Sequence, residues 1–180
     1  MSMRFSACIE WLFHESGPDY AARIRSAAQA GLDAVEFWGW SRHQLDVLRT
    51  AAEDAGISIA AICAEPVGSL RLGRAADHDA FIEGIETSCA AALHLGAAAL
   101  IVQSRARVPG LEDERQHANA IEALAHAGRI AGDHGIVLLL EPINNRVTRP
   151  DGLVCTTAIG LDIVDAVARP AVRLLYDRYH

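Results

Sequence analysis

Cysteine is scarce in this chain, with four among 180 residues. Cys8, Cys63, Cys89 and Cys155 are widely scattered and include no C-x-x-C pair. That spacing excludes a disulfide frame and a thiolate metal site, and leaves four small buried hydrophobes of a reduced protein. Basic residues are outnumbered, 16 against 23 acids, for a net charge of −7. No basic cluster offsets that balance, so nucleic acid is not an expected partner. No apolar run approaches the roughly 20 residues of a membrane span. The first residues lack a basic start, a long apolar stretch and a small-residue cleavage site. A soluble protein is expected, with no membrane partner and a cytoplasmic location.

What is present is alanine-rich apolar sequence, 51% hydrophobic overall. The length suits one domain over 1–180, large enough to bury a core without staples. The chain reads as alternating strands and helices. Strands are expected at Phe5–Ile9, Ala34–Trp38, Ile57–Cys63, Ala97–Val102, Ile136–Glu141 and Val172–Asp177. Between them fall helices from Pro18-Asp19 to Ala30, from an N-cap at Ser41 to Ala55, from Asp77 to Leu95, from Leu111 to His134, and from Thr156 or Thr157 to Ala168. A glycine-rich loop, Gly68 to Gly73, follows the third strand and Glu65-Pro66.

Four helices end in a glycine that feeds directly into a strand: Gly31, Gly56, Gly96 and Gly135. Short helix-to-strand turns and longer strand-to-helix loops give a sheet with one plain edge and one loop-rich edge. That asymmetry is typical of (β/α)8 barrels, whose sites lie on the loop-rich face. Eight units close such a barrel in about 250 residues. The expected fold is therefore an α/β TIM barrel with about six β/α units in this chain and the C-terminal units missing. An open doubly wound sheet is the alternative.

The fifth strand carries the strongest chemical signal. Ile136-Val137-Leu138-Leu139-Leu140 reads as a strand buried on both faces, ending abruptly in Glu141 and stopped by Pro142. Asp177 closes the sixth strand, and His180 follows three residues later. Two carboxylates and an imidazole at one barrel mouth suit a divalent cation, Mg²⁺ or Mn²⁺ foremost, with Zn²⁺ or Co²⁺ as alternatives. The other tip residues are Trp11, Glu36, Trp38, Glu65 and Gln103. Glu36 either faces the barrel interior or pairs with a neighbouring charge, and Gln103-Ser104 reads as a hydrogen-bonding pair in its loop. Asn144 and Arg146 either hold the loop after strand five or touch substrate. Trp11, Trp38 and Trp40 are divided between core and pocket wall. The histidines before His180 read as surface residues.

The elements Leu140-Glu141-Pro142-Ile143-Asn144 and Asp177-Arg178-Tyr179-His180 resemble the xylose-isomerase-like TIM-barrel superfamily of sugar isomerases and epimerases. Arg4-Phe5-Ser6-Ala7 with Trp11-Leu12-Phe13, Ala34 to Trp40, and Ile101-Val102-Gln103-Ser104 are most similar to its hydroxypyruvate isomerase group. The resemblance runs along the whole chain in order. It implies that Glu141 binds metal and shuttles a proton, that Asp177 is a metal ligand, and that His180 contacts substrate, with Gln103, Asn144 and Trp11 as further substrate-binding candidates. The implied reaction interconverts a short hydroxy-ketone and hydroxy-aldehyde by metal-assisted proton transfer through an ene-diolate. Homodimers or tetramers are common in such relatives. Two further ligands, after strands seven and eight, have no counterpart in the sequence. A keto-sugar 3-epimerase is one alternative, although relatives of that kind carry an acid six residues after the strand-five glutamate, where this chain has Val147. A metal-dependent DNA repair nuclease would require more histidine ligands and a basic surface. A barrel remnant that binds or assembles without catalysis is the non-enzyme alternative.

Overall fold

Six parallel strands, in sequence order across one sheet, alternate with five helices in a computed structural model that describes residues 3–65 and 71–180. The strands are β1 Ser6–Cys8, β2 Ala34–Phe37, β3 Ser58–Cys63, β4 Ala99–Gln103, β5 Val137–Glu141 and β6 Val172–Leu174. The helices are α1 Tyr20–Gln29, α2 Leu45–Ala55, α3 His78–Leu95, α4 Asp113–Asp133 and α5 Thr157–Val167. Pro66 and Gly68 to Leu70, at the start of the expected glycine-rich loop, lie outside the described residues. This is the (β/α) barrel order, with six of its strands present and β1 and β6 as the edges of an open sheet. No helix among the described residues is long and apolar enough to cross a membrane.

The element boundaries follow local chemistry. Asp19 caps α1 by accepting from the Ala21 amide, and Thr156 caps α5 by accepting from Ile159. Gly56 and Gly96 close α2 and α3 in the left-handed conformation that their missing Cβ makes cheap. Ser41 does not cap α2. Trp40–Arg42 forms a separate 3₁₀ turn, and Gln44 precedes the helix without a side-chain cap. The sixth strand is shorter than its apolar pattern suggested. Its ladder with β5 stops at Leu140↔Leu174, so Asp177 stands on a loop beyond the strand.

The two faces of β5 are not equivalent. Leu138 and Leu140 are fully buried in the main core with α4 and α5, while Val137, Leu139 and Glu141 point to the barrel interior and are half-buried. The expectation of burial on both faces fails there because the sheet is open between β1 and β6, so among the described residues nothing closes over its inner face. Ala61, Cys63 and Ile101 form its modest apolar cluster, joined by Ala99 and Leu175. Glu36 alternates with fully buried Val35 and so lies on this inner face, and a bulge at Ala60 of β3 sets it opposite Ala61. On the outer face α5 approaches so closely that a Cβ on Gly160 would lie 2.5 Å from Leu174 and 3.1 Å from Pro142. That contact fixes β6, and with it the segment carrying Asp177 and His180.

Leu140→Ala is expected to destabilise the fold by about 2–5 kcal/mol, as full burial leaves a cavity. Leu139→Ala, on the half-buried interior face, should cost clearly less. Urea unfolding of the two variants checks this, and equal losses would contradict the assignment of faces.

Candidate active site

The C-terminal ends of the strands surround a cavity of about 1040 Å³. Glu141 enters it from the tip of β5, held in the ladder opposite Gln103 of β4. Gln103 donates through Nε2 to Glu141 Oε2 at 2.8 Å, which fixes the carboxylate's orientation. Asp177 and His180 arrive from the loop after β6. One ligand atom from each of Glu141, Asp177 and His180 lies within 4.8 Å of the others. The structure therefore brings together the three residues that the spacing of the motifs suggested.

Asn144 holds this arrangement. Its Oδ1 accepts from the backbone amides of Val147, Arg146 and Thr148 at 2.9, 3.2 and 3.2 Å, which closes the loop after β5 and fixes which way the carboxamide points. Its Nδ2 then donates to His180 Nδ1 at 2.9 Å, and its own backbone N–H faces the same nitrogen at 3.3 Å. Both neighbours are donors, so His180 Nδ1 is the acceptor and the ring proton resides on Nε2. Nε2 is 3.8 Å from Asp177 Oδ2. The imidazole thus offers an N–H to the cavity. Asn144 is buried, and its polar atoms are occupied by the loop and by His180.

The electrostatics are acidic at this pole. Burial pushes the Glu141 carboxyl above its ordinary range and Asp177 adds to it, while the Gln103 hydrogen bond and His180 pull the other way. Glu36 is the residue that sequence reasoning left aside. It faces the same cavity, and burial first, then Glu141 and Asp177, raises its carboxyl above the ordinary 4.5. Acids that raise one another in a half-buried space fit a cation between them. Glu141 and Asp177 supply hard anionic oxygens for Mg²⁺ or Mn²⁺. The thiols are inert by comparison. Burial raises Cys8 to about 11, and Cys63 higher still.

Aromatic side chains form the rim. Trp11 is 69% exposed and packs edge-on against Trp38, with centroids 5.7 Å apart. Trp40 instead packs on the main core. Glu10 braces the two loops involved: it accepts from Tyr20 Oη at 2.6 Å and from the Trp38 amide at 2.8 Å. Two histidines depart from the surface reading. His78 lines the cavity and bonds the Leu72 carbonyl at 3.2 Å, and His43 stacks on Tyr20 with centroids 4.2 Å apart. Ser104 acts within the loops as expected, accepting from the Val154 amide at 2.9 Å.

A six-stranded parallel array with carboxylates, a carboxamide and an oriented imidazole at the strand ends has the layout of a (β/α)-barrel site. The family described as "Xylose isomerase-like TIM barrel" matches residues 24–180, and the chain belongs to that family. It is 34% identical over 189 residues to a Xenopus laevis protein named "Putative hydroxypyruvate isomerase", an alignment covering 99% of this chain and 68% of that protein. The crystal structure of an AP endonuclease, family 2, from Brucella melitensis superposes with a TM-score of 0.89 at 25% identity, over 99% of this chain and 70% of its own. D-psicose 3-epimerase from Clostridium cellulolyticum H10, solved with D-tagatose, shares the fold at a TM-score of 0.77 and 17% identity, over 96% of this chain and 62% of its own.

The raised Glu36 carboxyl sets a sign for stability. Folding favours its neutral form, so its contribution is complete below the ordinary value and is lost as pH rises through the raised one. Glu36→Gln is therefore expected to raise the urea midpoint of the metal-free protein near pH 8 and to leave it unchanged near pH 4. A difference independent of pH would contradict this account.

Proposed function

We propose that the chain is an isomerase of a short hydroxy-carbonyl compound, hydroxypyruvate-like, that moves a proton between adjacent carbons through an ene-diolate. The observation that carries this reading is the convergence of Glu141, Asp177 and His180 on one cavity, with the Glu141 carboxylate oriented by Gln103. Glu141 and Asp177 would hold a divalent ion, Mg²⁺ or Mn²⁺. When bound, such an ion lowers the cost of negative charge on the substrate's carbonyl and hydroxyl oxygens.

The chain's own residues supply the rest. The free oxygen of Glu141 takes the proton from the carbon beside the carbonyl, and the bonding pair moves into the ene-diolate. The same proton is returned at the neighbouring carbon while the hydroxyl proton passes to the former carbonyl oxygen, so that hydroxyl and carbonyl exchange places with no net change in atoms. Burial strengthens Glu141 as a base, since its carboxylate holds a proton more tightly than an exposed one. His180 donates from Nε2 to a substrate oxygen, and Asn144 keeps that proton on Nε2. Trp11 and Trp38 present apolar faces to the substrate's carbons. The named relative of this chain supports the isomerase reading.

Epimerisation of a keto-sugar would use the same Glu141 with reprotonation on the opposite face. The position six residues after Glu141 is Val147, 75% exposed and without a titratable group, which favours isomerisation. Failure of the chain to bind Mn²⁺ specifically would favour a non-catalytic binding role.

Isomerisation of hydroxypyruvate is expected to be abolished by EDTA and restored by Mn²⁺ or Mg²⁺. Glu141→Gln should lower kcat by about 10²–10⁴-fold with the fold intact by circular dichroism. Full activity of this variant would refute the assignment of Glu141.

A further inference from the structure

The loops after β4 and β5 are laced together at the cavity rim. Arg107 N donates to Asp151 O at 2.7 Å, Leu153 N to Arg105 O at 3.0 Å, and Val154 N to Ser104 Oγ at 2.9 Å. Ala106 and Gly152 add an antiparallel bridge. The lacing sets Arg105 of one loop near Arg149 of the other, and both line the cavity that holds Glu141, Asp177 and His180.

Among the described residues, arginines besides these two lack a carboxylate partner, Arg71 and Arg178 of the same cavity included, but only Arg149 has a buried arginine nitrogen without a hydrogen-bond partner. Arg107, two residues from Arg105, is occupied by Asp113 and the Gly152 carbonyl, and Arg74 pairs with Asp77. Among the described residues, no carboxylate lies within ion-pair distance of Arg105 or Arg149. The Arg149 Nε–H is buried with no hydrogen-bond partner there. Burial and the Arg149 charge together lower the Arg105 guanidinium from its ordinary value. Arg105 is also held at φ 64°, a left-handed conformation that is unfavourable for a non-glycine residue. Two like charges, an orphan buried donor and a strained backbone all disfavour folding. An oxyanion between the two forks would satisfy the donor and offset both charges.

We infer that Arg105 and Arg149 form a subsite for an oxyanionic group of the substrate, a carboxylate or a phosphate, and so select an acidic hydroxy-carbonyl compound over a neutral sugar. The inference rests on the isomerase reading of the cavity and adds the residues that hold the substrate's charged end. The cavity then has two poles. Glu36, Glu141 and Asp177 line one part of it, and Arg105 and Arg149 are set close together by the laced loops. A substrate with its anionic end at the arginines presents its hydroxy-carbonyl end to Glu141.

Calorimetric titration of the EDTA-treated chain at low salt tests this with three probes: 3-hydroxypropionate for a carboxylate, inorganic phosphate, and glycerol as a neutral polyol. At least one anion should bind, and glycerol should not. The tighter anion identifies the group that the subsite accepts. Arg149→Gln should weaken that anion by about 10- to 100-fold, the worth of a charge-assisted hydrogen bond, and Arg149→Lys by less. Arg105→Gly removes the guanidinium and suits the left-handed backbone, so it should weaken the anion comparably while keeping the melting temperature. Absence of anion binding by the unaltered chain would overturn the subsite. So would unchanged affinity in both variants with intact melting temperatures. If the unaltered chain fails to isomerise hydroxypyruvate yet binds an anion through these arginines, the isomerase reading falls and the subsite stands. If it isomerises with a KM indifferent to both substitutions, the subsite falls and the isomerase reading stands.

Discussion

One carboxamide links the two halves of the acidic pole. The Asn144 Oδ1 gathers three amides of the loop after β5, and its Nδ2 reaches the imidazole that follows β6. Glu141 stands three residues before it on a strand whose outer side chains are fully buried, so the carboxylate has little freedom to move. Through Asn144, the same rigid strand governs the loop and the tautomer of His180. A hydroxyl or an aliphatic side chain at this position cannot do both, because neither combines an acceptor for three amides with a separate N–H donor.

The inner face of the sheet makes the chemistry possible by staying open. Its apolar cluster of Ala61, Cys63, Ala99, Ile101 and Leu175 is modest, and the polar groups at the strand ends project into the space above it. Carboxylates there lose solvation and feel one another, which raises Glu36 and Glu141 together. A cation held between them would relieve that strain. At the other side of the cavity the problem has the opposite sign, with two guanidinium groups that lack a carboxylate. One cavity thus holds two unmet charge requirements, and a substrate with an anionic end and a hydroxy-carbonyl end answers both.

Much of the barrel was legible along the chain because its signals are local. Apolar runs, helix caps and glycines after helices each act within a few residues, and they placed every strand boundary but the end of the sixth to within a residue or two. The errors were also local in cause. Ser41 has the chemistry of a cap, but the turn Trp40–Arg42 forms before α2 begins. Apolar Leu175 and Tyr176 look like strand, but the neighbouring β5 has already ended its ladder at Leu140.

The sequence by itself determined the alternation of strands and helices and the position of Glu141, where an aliphatic run meets a proline. The spacing of Asp177 and His180 was also present in it. Only the tertiary structure decided what these groups face, because direction depends on register and on contacts between distant segments. Burial of Val35 against the helices turns Glu36 inward, Asn144 rather than any neighbour in sequence fixes the proton of His180, and the lacing of two loops sets Arg105 near Arg149. A strand's pattern tells which residues alternate. The packed sheet decides which of its two faces meets the helices and which meets the substrate.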